Sequence, residues 1–464
     1  MNNLLHSQET IVALATPPGI GAIGVIRLSG SQSITIVNSV FHGKNLEKQA
    51  PNTIHFGTIR DGEKILDEVL ISLFKAPHSF TKEDSIEIST HGSPYIIKQI
   101  TQLLIRKGAR SASPGEFTKR AFMNGQFDLA QAEAVADLIH ADSEASHQSA
   151  LNQLRGGFSQ KIKDLREQLI HFASMVELEL DFGEEDVEFA DRDDLRILIQ
   201  NLLTVINELI NSFSLGNAIK EGIPTVIAGQ PNAGKSTLLN ALLNEERAIV
   251  SEIAGTTRDV IEDELFLEGI KFRFIDTAGL RDTDDTIEKI GVERTRENIK
   301  KASLVLFMYD VNENSVTRKN TLKELGLVKE SGVPFIVIGN KVDLENQESR
   351  TKSQEPRIEA LHSIELSAST GLGLEELKTK LLQTVESGQF KKLDTVVTNA
   401  RHYESLLHTQ EALERVIVGL NEGVSGDFLA MDIRQSLHHL GLIVGEISTD
   451  DLLENIFSRF CIGK

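Results

Sequence analysis

Gly229-Gln230-Pro231-Asn232-Ala233-Gly234-Lys235-Ser236 constrains this chain more than any other stretch. Its G-x-x-x-x-G-K-S spacing is that of a phosphate-binding loop, which works between a buried strand and a helix. Pro224-Thr225-Val226-Ile227-Ala228 reads as the strand, and Ser236-Thr237-Leu238-Leu239-Asn240-Ala241-Leu242-Leu243 as the helix. The glycines let backbone N–H groups turn toward phosphate oxygens, and the helix N-terminus adds its positive dipole end. Lys235 is placed to reach the outer phosphates and the Ser236 hydroxyl to ligate Mg²⁺.

The segments that follow select the nucleotide. Phe272-Arg273-Phe274-Ile275 reads as a strand ending in Asp276-Thr277-Ala278-Gly279. An Asp there can hold the Mg²⁺ shell, and the Gly can bring its N–H to the terminal phosphate. Phe335-Ile336-Val337-Ile338-Gly339 is a second apolar strand, running into Asn340-Lys341-Val342-Asp343. A carboxylate at Asp343 can accept from the guanine N1–H and exocyclic amine; adenine offers no such donor pair and would leave it unpaired. Ile364-Glu365-Leu366-Ser367-Ala368 reads as a last strand whose end brings backbone N–H groups to the base. In this order the motifs resemble the GTPase signature set and predict GTP as the nucleotide. Gly255-Thr256-Thr257-Arg258-Asp259 matches the first switch, where one Thr completes the Mg²⁺ shell; two adjacent threonines compete for that place.

After Gly279 stands Leu280, where Ras-like enzymes use a Gln to orient the attacking water. Another group must supply that function. Asp282, Asp284, Asp285 and Glu288 offer four carboxylates for it. No arginine finger stands out, and a monovalent cation at the phosphates would serve instead. The Asn232 side-chain oxygen suits such an ion; an Asx residue stabilising the turn is the alternative.

At 464 residues, two to four domains are expected. A net charge of −20 argues against charge-driven nucleic-acid binding over the whole surface. One cysteine, Cys461, excludes an intramolecular disulfide framework and fits a reducing cytosol. The first Lys or Arg is Arg27 and Pro17-Pro18-Gly19 interrupts the early apolar run, unlike a signal peptide. No apolar run is long enough to span a bilayer. The expectation is a cytoplasmic protein without a membrane partner.

Residues 1–124 mix strand-like runs (Ile23 to Leu28, Val69 to Phe74, Ser85 to Thr90) with a helix from Pro94 to Arg106. From 125 to 216 the period is helical: Leu151, Leu154, Phe158, Ile162, Leu165, Leu169, Phe172 and Val176 predict one amphipathic helix. Residues 217–385 alternate strands and helices, and 386–464 return to the helical period at Ile433, Leu437, Leu440, Val444 and Ile447. An α/β unit bracketed by helical segments predicts an insertion into a helical domain. The fold class expected is multidomain, α/β with α+β.

Gly19-Ile20-Gly21-Ala22-Ile23-Gly24 matches the dinucleotide fingerprint, but a strand follows it and no Asp or Glu appears between Gly24 and Glu47, so that reading is rejected. Glu177 to Asp194 is strongly acidic, read as a solvated helix end and loop, with a docking face for a basic partner as the sharper alternative. His438-His439 lack partners at metal spacing, and no zinc site is expected.

Ala15-Thr16-Pro17-Pro18-Gly19, Gly24 to Gly30, Pro114-Gly115-Glu116-Phe117-Thr118 and Asp128 to Ala134 together carry a wider resemblance. With the embedded P-loop, Asp276 to Arg281 and the terminal Phe460-Cys461-Ile462-Gly463-Lys464, the chain resembles the MnmE (TrmE) family of tRNA-modifying GTPases over nearly its whole length.

That resemblance implies a folate-binding-like, homodimerising N-terminal α+β domain and a helical domain split by an inserted Ras-like GTPase domain, its mostly parallel sheet covered by helices on both faces. It implies work with the flavin- and NADH-using partner MnmG (GidA), in a heterotetramer or larger complex. The product is an aminomethyl or carboxymethylaminomethyl group at C5 of the tRNA wobble uridine, its one-carbon unit drawn from methylene- or formyl-tetrahydrofolate. GTP and GDP contacts are implied at Asn232 to Thr237, at Ser251, Glu252, Ile253, Ala254, Gly255, Thr256 and Thr257, at Asp276 to Gly279, and at Asn340, Lys341, Asp343, Ser367 and Ala368. K⁺ would be held by Asn232, Thr256 and the carbonyls of Ser251 and Ile253, and Mg²⁺ by Ser236 and Thr257. Glu288 is implied as the water-orienting acid beside Lys235 and Asn232. Folate contacts match Arg27, Glu87, Gln126 (a Lys in some relatives) and Lys464. Cys461 matches a functionally important thiol, with a buried structural thiol as the plainer reading. A stand-alone regulatory GTPase, for example in ribosome assembly, is the alternative from another class.

Overall fold

The computed structural model describes residues 9–181, 192–246, 263–275, 299, 302–344, 363–385 and 396–463. Two compact units result: Met1–His140 with Ala150–Asn207 and Glu404–Lys464, and Ala141–Ser149 with Glu208–Tyr403.

The first unit is built on a seven-stranded sheet. Its strands are β1 (Ile11–Leu14), β2 (Ile23–Ser29), β3 (Phe41–His42), β4 (Thr53–Asp61), β5 (Lys64–Phe74), β6 (Ser85–His91) and β7 (Arg110–Ser111), in the order β3-β4-β5-β6-β2-β1-β7. All neighbours are antiparallel except β1 and β7. Alternation decides the faces. Ile26, Leu28, Ile71, Leu73, Ile86 and Ile88 point into one core. There they meet Ile34, Ile36 and Val37 of helix Ser33–Asn38 and Ile100, Leu103 and Leu104 of helix Pro94–Arg106. The strand and helix expected here at Ile23, Ser85 and Pro94 are present, and the Gly19 to Gly24 fingerprint leads into β2, not a helix. On the opposite face Ile54 and Phe56 of β4 and Leu70 of β5 are exposed, with Phe56 directly across from Leu70.

The long helical period is not one helix. Gly156, at φ +88°, separates helix Glu144–Leu154 from helix Gly157–Asp181. Phe158, Ile162, Leu165, Leu169, Phe172 and Val176 are buried on the second helix. Arg166 of this helix donates to the Leu437 carbonyl at 2.7 Å and pairs with Glu446, tying it to helix Gly426–Val444. The chain end then returns to the sheet: the Gly115 N–H donates to the Cys461 carbonyl at 3.4 Å, and a side chain at Gly463 would overlap the Leu14 carbonyl.

The second unit holds a six-stranded sheet of β8 (Ile223–Ala228), β9 (Asp263–Leu267), β10 (Ile270–Phe274), β11 (Leu304–Asp310), β12 (Phe335–Asn340) and β13 (Ile364–Glu365). The order is β13-β12-β11-β8-β10-β9, parallel throughout except the β9–β10 hairpin. Being buried on both faces, the central strands are mostly apolar, with Thr225 of β8 as a buried polar member. Leu304, Leu306 and Met308 of β11 face helices Lys235–Glu246 and Leu374–Val385, while Val305, Phe307 and Tyr309 face helix Ser315–Glu330. Helices therefore cover both faces, as expected.

Candidate functional site

At the C-terminal ends of the parallel strands, where open α/β sheets bind their ligands, β8 runs into the loop Gly229 to Gly234 and then helix Lys235–Glu246. Gly229 sits at φ +135° with its α-carbon against the Met308 carbonyl, and Gly234 at φ +99° against the Asn340 carboxamide. A Cβ at either position would overlap those atoms, so glycine is required twice for a stated reason. Lys235 Nζ donates to the carbonyls of Gly229 (2.7 Å) and Gln230 (2.9 Å), folding back over the loop it serves. Burial lowers the Lys235 pKa, opposed by the charge of Glu324, and burial raises that of Glu324, opposed by Lys235 and Gln230. Ser236 and Thr237 lie exposed on the first turn of the helix. Asn232 is exposed at φ +63°, and its carboxamide makes no hydrogen bond among the described residues, so it does not act there as a turn-stabilising Asx group.

Asn340 joins the loops around this cradle. Its Nδ2 donates to the Ala233 carbonyl at 2.8 Å, and its Oδ1 accepts from the Ala368 N–H at 2.9 Å. It is only 2% exposed. Strand β13 is accordingly shorter than expected. It ends at Glu365 because the N–H groups beyond Leu366 are diverted: Ser367 to the Leu372 carbonyl and Ala368 to Asn340. Asp343 lies in the short turn Val342–Leu344, with Ser369 Oγ at 3.5 Å. The structure thus brings Ala233, Gly234, Lys235, Asn340, Lys341, Asp343, Ser367 and Ala368 to one end of the sheet. Ser251 to Thr257, Asp276 to Gly279, Leu280 and Glu288 lie outside the described residues, as does most of the acidic stretch after Asp181.

In the first unit Arg27 and Glu87, opposite each other on β2 and β6, form an ion pair (Nε–Oε1 2.9 Å, Nη2–Oε1 2.7 Å). The guanidinium lies 5.7 Å from the Phe80 ring and 5.8 Å from that of Phe117. Phe80 in turn meets Phe127, the neighbour of the exposed Gln126. Cys461 is exposed, which sets aside the buried structural thiol. Lys464 lies outside the described residues, but Gly463 before it rests on Leu14, one residue from the Ala13 that faces Arg27.

Sequence reasoning passed over a network beside this pair. Glu116 accepts from Arg110 Nη2 (2.6 Å) and Nη1 (3.1 Å), Arg120 Nη2 (3.0 Å) and the Ser113 N–H (2.8 Å). Arg120, 6% exposed, also reaches Glu83, which accepts from Ser29 Oγ at 2.7 Å. Burial pushes the Glu116 carboxyl up, but the bonds from Arg110, Ser113 and Arg120 outweigh it and hold the carboxyl below its ordinary range. The Ser113-x-x-Glu116 spacing of a capping box was the available signal.

Among known proteins, a family profile described as "GTP-binding protein TrmE N-terminus" matches residues 10–126, and one described as "MnmE helical domain" matches 129–461. A tRNA modification GTPase MnmE of Cytophaga hutchinsonii is 61% identical, over 99% of this chain and 98% of its own length. Those of Christiangramia forsetii and Flavobacterium psychrophilum are each 53% identical, over 98% of this chain and 99% of their own lengths. The FeoB G domain of Methanococcus jannaschii aligns with 35% of this chain at 25% identity, covering 97% of that domain, but its TM-score of 0.25 carries no argument. The profiles and the full-length relatives agree: the chain belongs to the MnmE (TrmE) family of tRNA modification GTPases.

Proposed function

We propose that this chain hydrolyses GTP in tRNA modification, and that a K⁺ ion assists the hydrolysis. The observation that carries the nucleotide reading is Asn340, which ties the phosphate loop to the Ser367-Ala368 loop while Asp343 stands on the same turn. Ser236 and Thr257 would hold Mg²⁺, which neutralises charge developing on the phosphates. Asn232, Thr256, Ser251 and Ile253 would hold K⁺. Leu280 in place of a water-orienting Gln and the unengaged Asn232 carboxamide support that cation, with Glu288 as the acid that orients water.

Residues 1–124 form the folate-binding and dimerising domain in this reading, 125–216 and 386–464 the helical domain, and 217–385 the inserted GTPase domain. The Arg27–Glu87 pair suits a ligand carrying both carboxylates and a pterin with N–H donors, and Gln126 and Lys464 are the further folate contacts of this reading. The exposed Ile54, Phe56 and Leu70 support a homodimer. The flavoprotein MnmG (GidA) is the proposed partner, the wobble uridine of tRNA the substrate, and the cytoplasm the site of action.

Hydrolysis measured in K⁺ and in Na⁺ tests the cation; equal rates remove it. Mass analysis of wobble nucleosides from a deletion strain tests the substrate, and an unchanged profile would favour a stand-alone regulatory switch.

A further inference from the structure

Base recognition by Asp343 requires the Asn340–Asp343 turn to keep one shape, and that shape is strained. Lys341 sits at φ +69°, in the left-handed region that long side chains avoid. Two residues after β11 and its last residue account for its persistence. Asp310 Oδ2 pairs with Lys341 Nζ at 2.8 Å, both side chains about a quarter exposed. The other carboxylate oxygen, Oδ1, accepts from the Asn312 N–H at 2.8 Å, which fixes the carboxylate's orientation. Asn312 Nδ2 then donates to the Lys341 carbonyl at 3.1 Å, and the Val311 N–H to the Asn340 carbonyl at 3.1 Å. Both ends of the strained residue are held from a neighbouring strand.

We infer that Asp310 and Asn312 are positioning residues for guanine recognition: they hold the Asn340–Asp343 turn in its base-reading shape. The inference rests on the guanine-nucleotide reading of the site. Neither residue is needed to touch nucleotide, so their loss weakens binding and base discrimination while sparing the chemical step.

The test uses the full chain with Asp310→Ala, Asp310→Asn and the exposed Asn312→Ala. A fluorescent GDP analogue gives affinity, and steady-state hydrolysis of GTP and of ITP gives kcat and KM. ITP lacks the exocyclic amine, so the GTP/ITP ratio of kcat/KM reports base reading. Asp310→Ala is expected to raise the GDP Kd and the GTP KM roughly tenfold, with kcat at saturation within about twofold of the parent. The GTP/ITP ratio should fall toward one. Asp310→Asn, which keeps the bond to the Asn312 N–H, should lose less. A loss that weakens GTP and ITP alike, leaving their ratio unchanged, is a general loosening of the unit and overturns the inference. Unchanged affinity and an unchanged GTP/ITP ratio in Asp310→Ala and Asn312→Ala overturn the inference, as does a loss confined to kcat. Should Asp310→Ala not fold, Asn312→Ala decides by the same readings. A parent protein that does not prefer GTP over ITP instead overturns the guanine reading itself.

Discussion

Replacing Asn340 with Ala removes two buried hydrogen bonds without placing a new polar group in the core. The Ala233 carbonyl loses its 2.8 Å donor and the Ala368 N–H its 2.9 Å acceptor. Water cannot substitute readily at a residue only 2% exposed. A buried polar group left unpaired costs about 1–3 kcal/mol, so the pair amounts to about 2–6 kcal/mol. Through Asn340 the two bonds join the phosphate loop to the Ser367-Ala368 loop of the second unit, so the loss divides between stability of that unit and affinity for GDP. Hydrogen exchange over β8 and β12 reads the first share, because exchange localises to the unit that opens. Calorimetric titration with GDP reads the second, where about 1.4 kcal/mol is a tenfold change in Kd. Asn340→Asp sharpens the argument. It keeps an acceptor for Ala368 but turns a carboxylate oxygen toward the Ala233 carbonyl, so it should do at least as much damage as Ala. If the two shares for Asn340→Ala sum to less than about 0.5 kcal/mol, or if Asp is tolerated better than Ala, Asn340 does not hold the two loops together.

Two further perturbations act on single atoms. Gly234→Ala forces a Cβ onto the Asn340 carboxamide at a backbone angle of +99°, and GDP titration should detect no binding while hydrogen exchange in the first unit stays at the parent level. Glu116→Gln should destabilise the first unit by about 3 kcal/mol at pH 7, because Arg120 keeps its charge in a buried place with one fewer counter-charge. The folded Glu116 pKa is lowered, so its stabilising effect is present above the unfolded value and lost as pH falls through the folded one. The parent–variant gap in thermal unfolding should therefore narrow as pH falls below the ordinary glutamate value of about 4.3 and close once the folded carboxyl is protonated, and a gap that persists in stronger acid would show the effect to be steric.

The nucleotide unit could be read closely because its site is made mostly by backbone. A phosphate loop needs glycine where a Cβ would strike a neighbouring strand, and Gly229 and Gly234 meet that condition at the Met308 carbonyl and Asn340. Such demands fall on consecutive residues and survive as spacing. Even there, the end of β13 was misplaced. Apolar Ile364 and Leu366 continue the strand pattern, but the N–H groups of Ser367 and Ala368 serve the Leu372 carbonyl and Asn340 instead of a ladder. Periodicity reports which face is buried, not where a hydrogen-bond donor is spent. The break at Gly156 has the same character: the apolar period continues across it, while the backbone turns through φ +88°.

The first unit was harder because its polar core is assembled across sequence. Arg120 meets Glu83 from 37 residues away, and Arg27 meets Glu87 from 60. No local rule favours either pairing, and a charged residue in an isolated sequence is better assigned to solvent. What makes these groups tolerable inside is mutual satisfaction. Glu116 alone accepts four hydrogen bonds from three residues, and removing it would strip the enclosed Arg120 of one carboxylate partner while Glu83 remains. The same logic separates two arginines that look alike in sequence. Arg120 is enclosed and committed to Glu83 and Glu116, whereas Arg27 is partly exposed between the Phe80 and Phe117 rings with a single carboxylate opposite. Of the two, Arg27 is the one that can exchange part of its pairing for a ligand's carboxylate without stranding a buried charge, which is why Arg27 and not Arg120 is the proposed ligand contact.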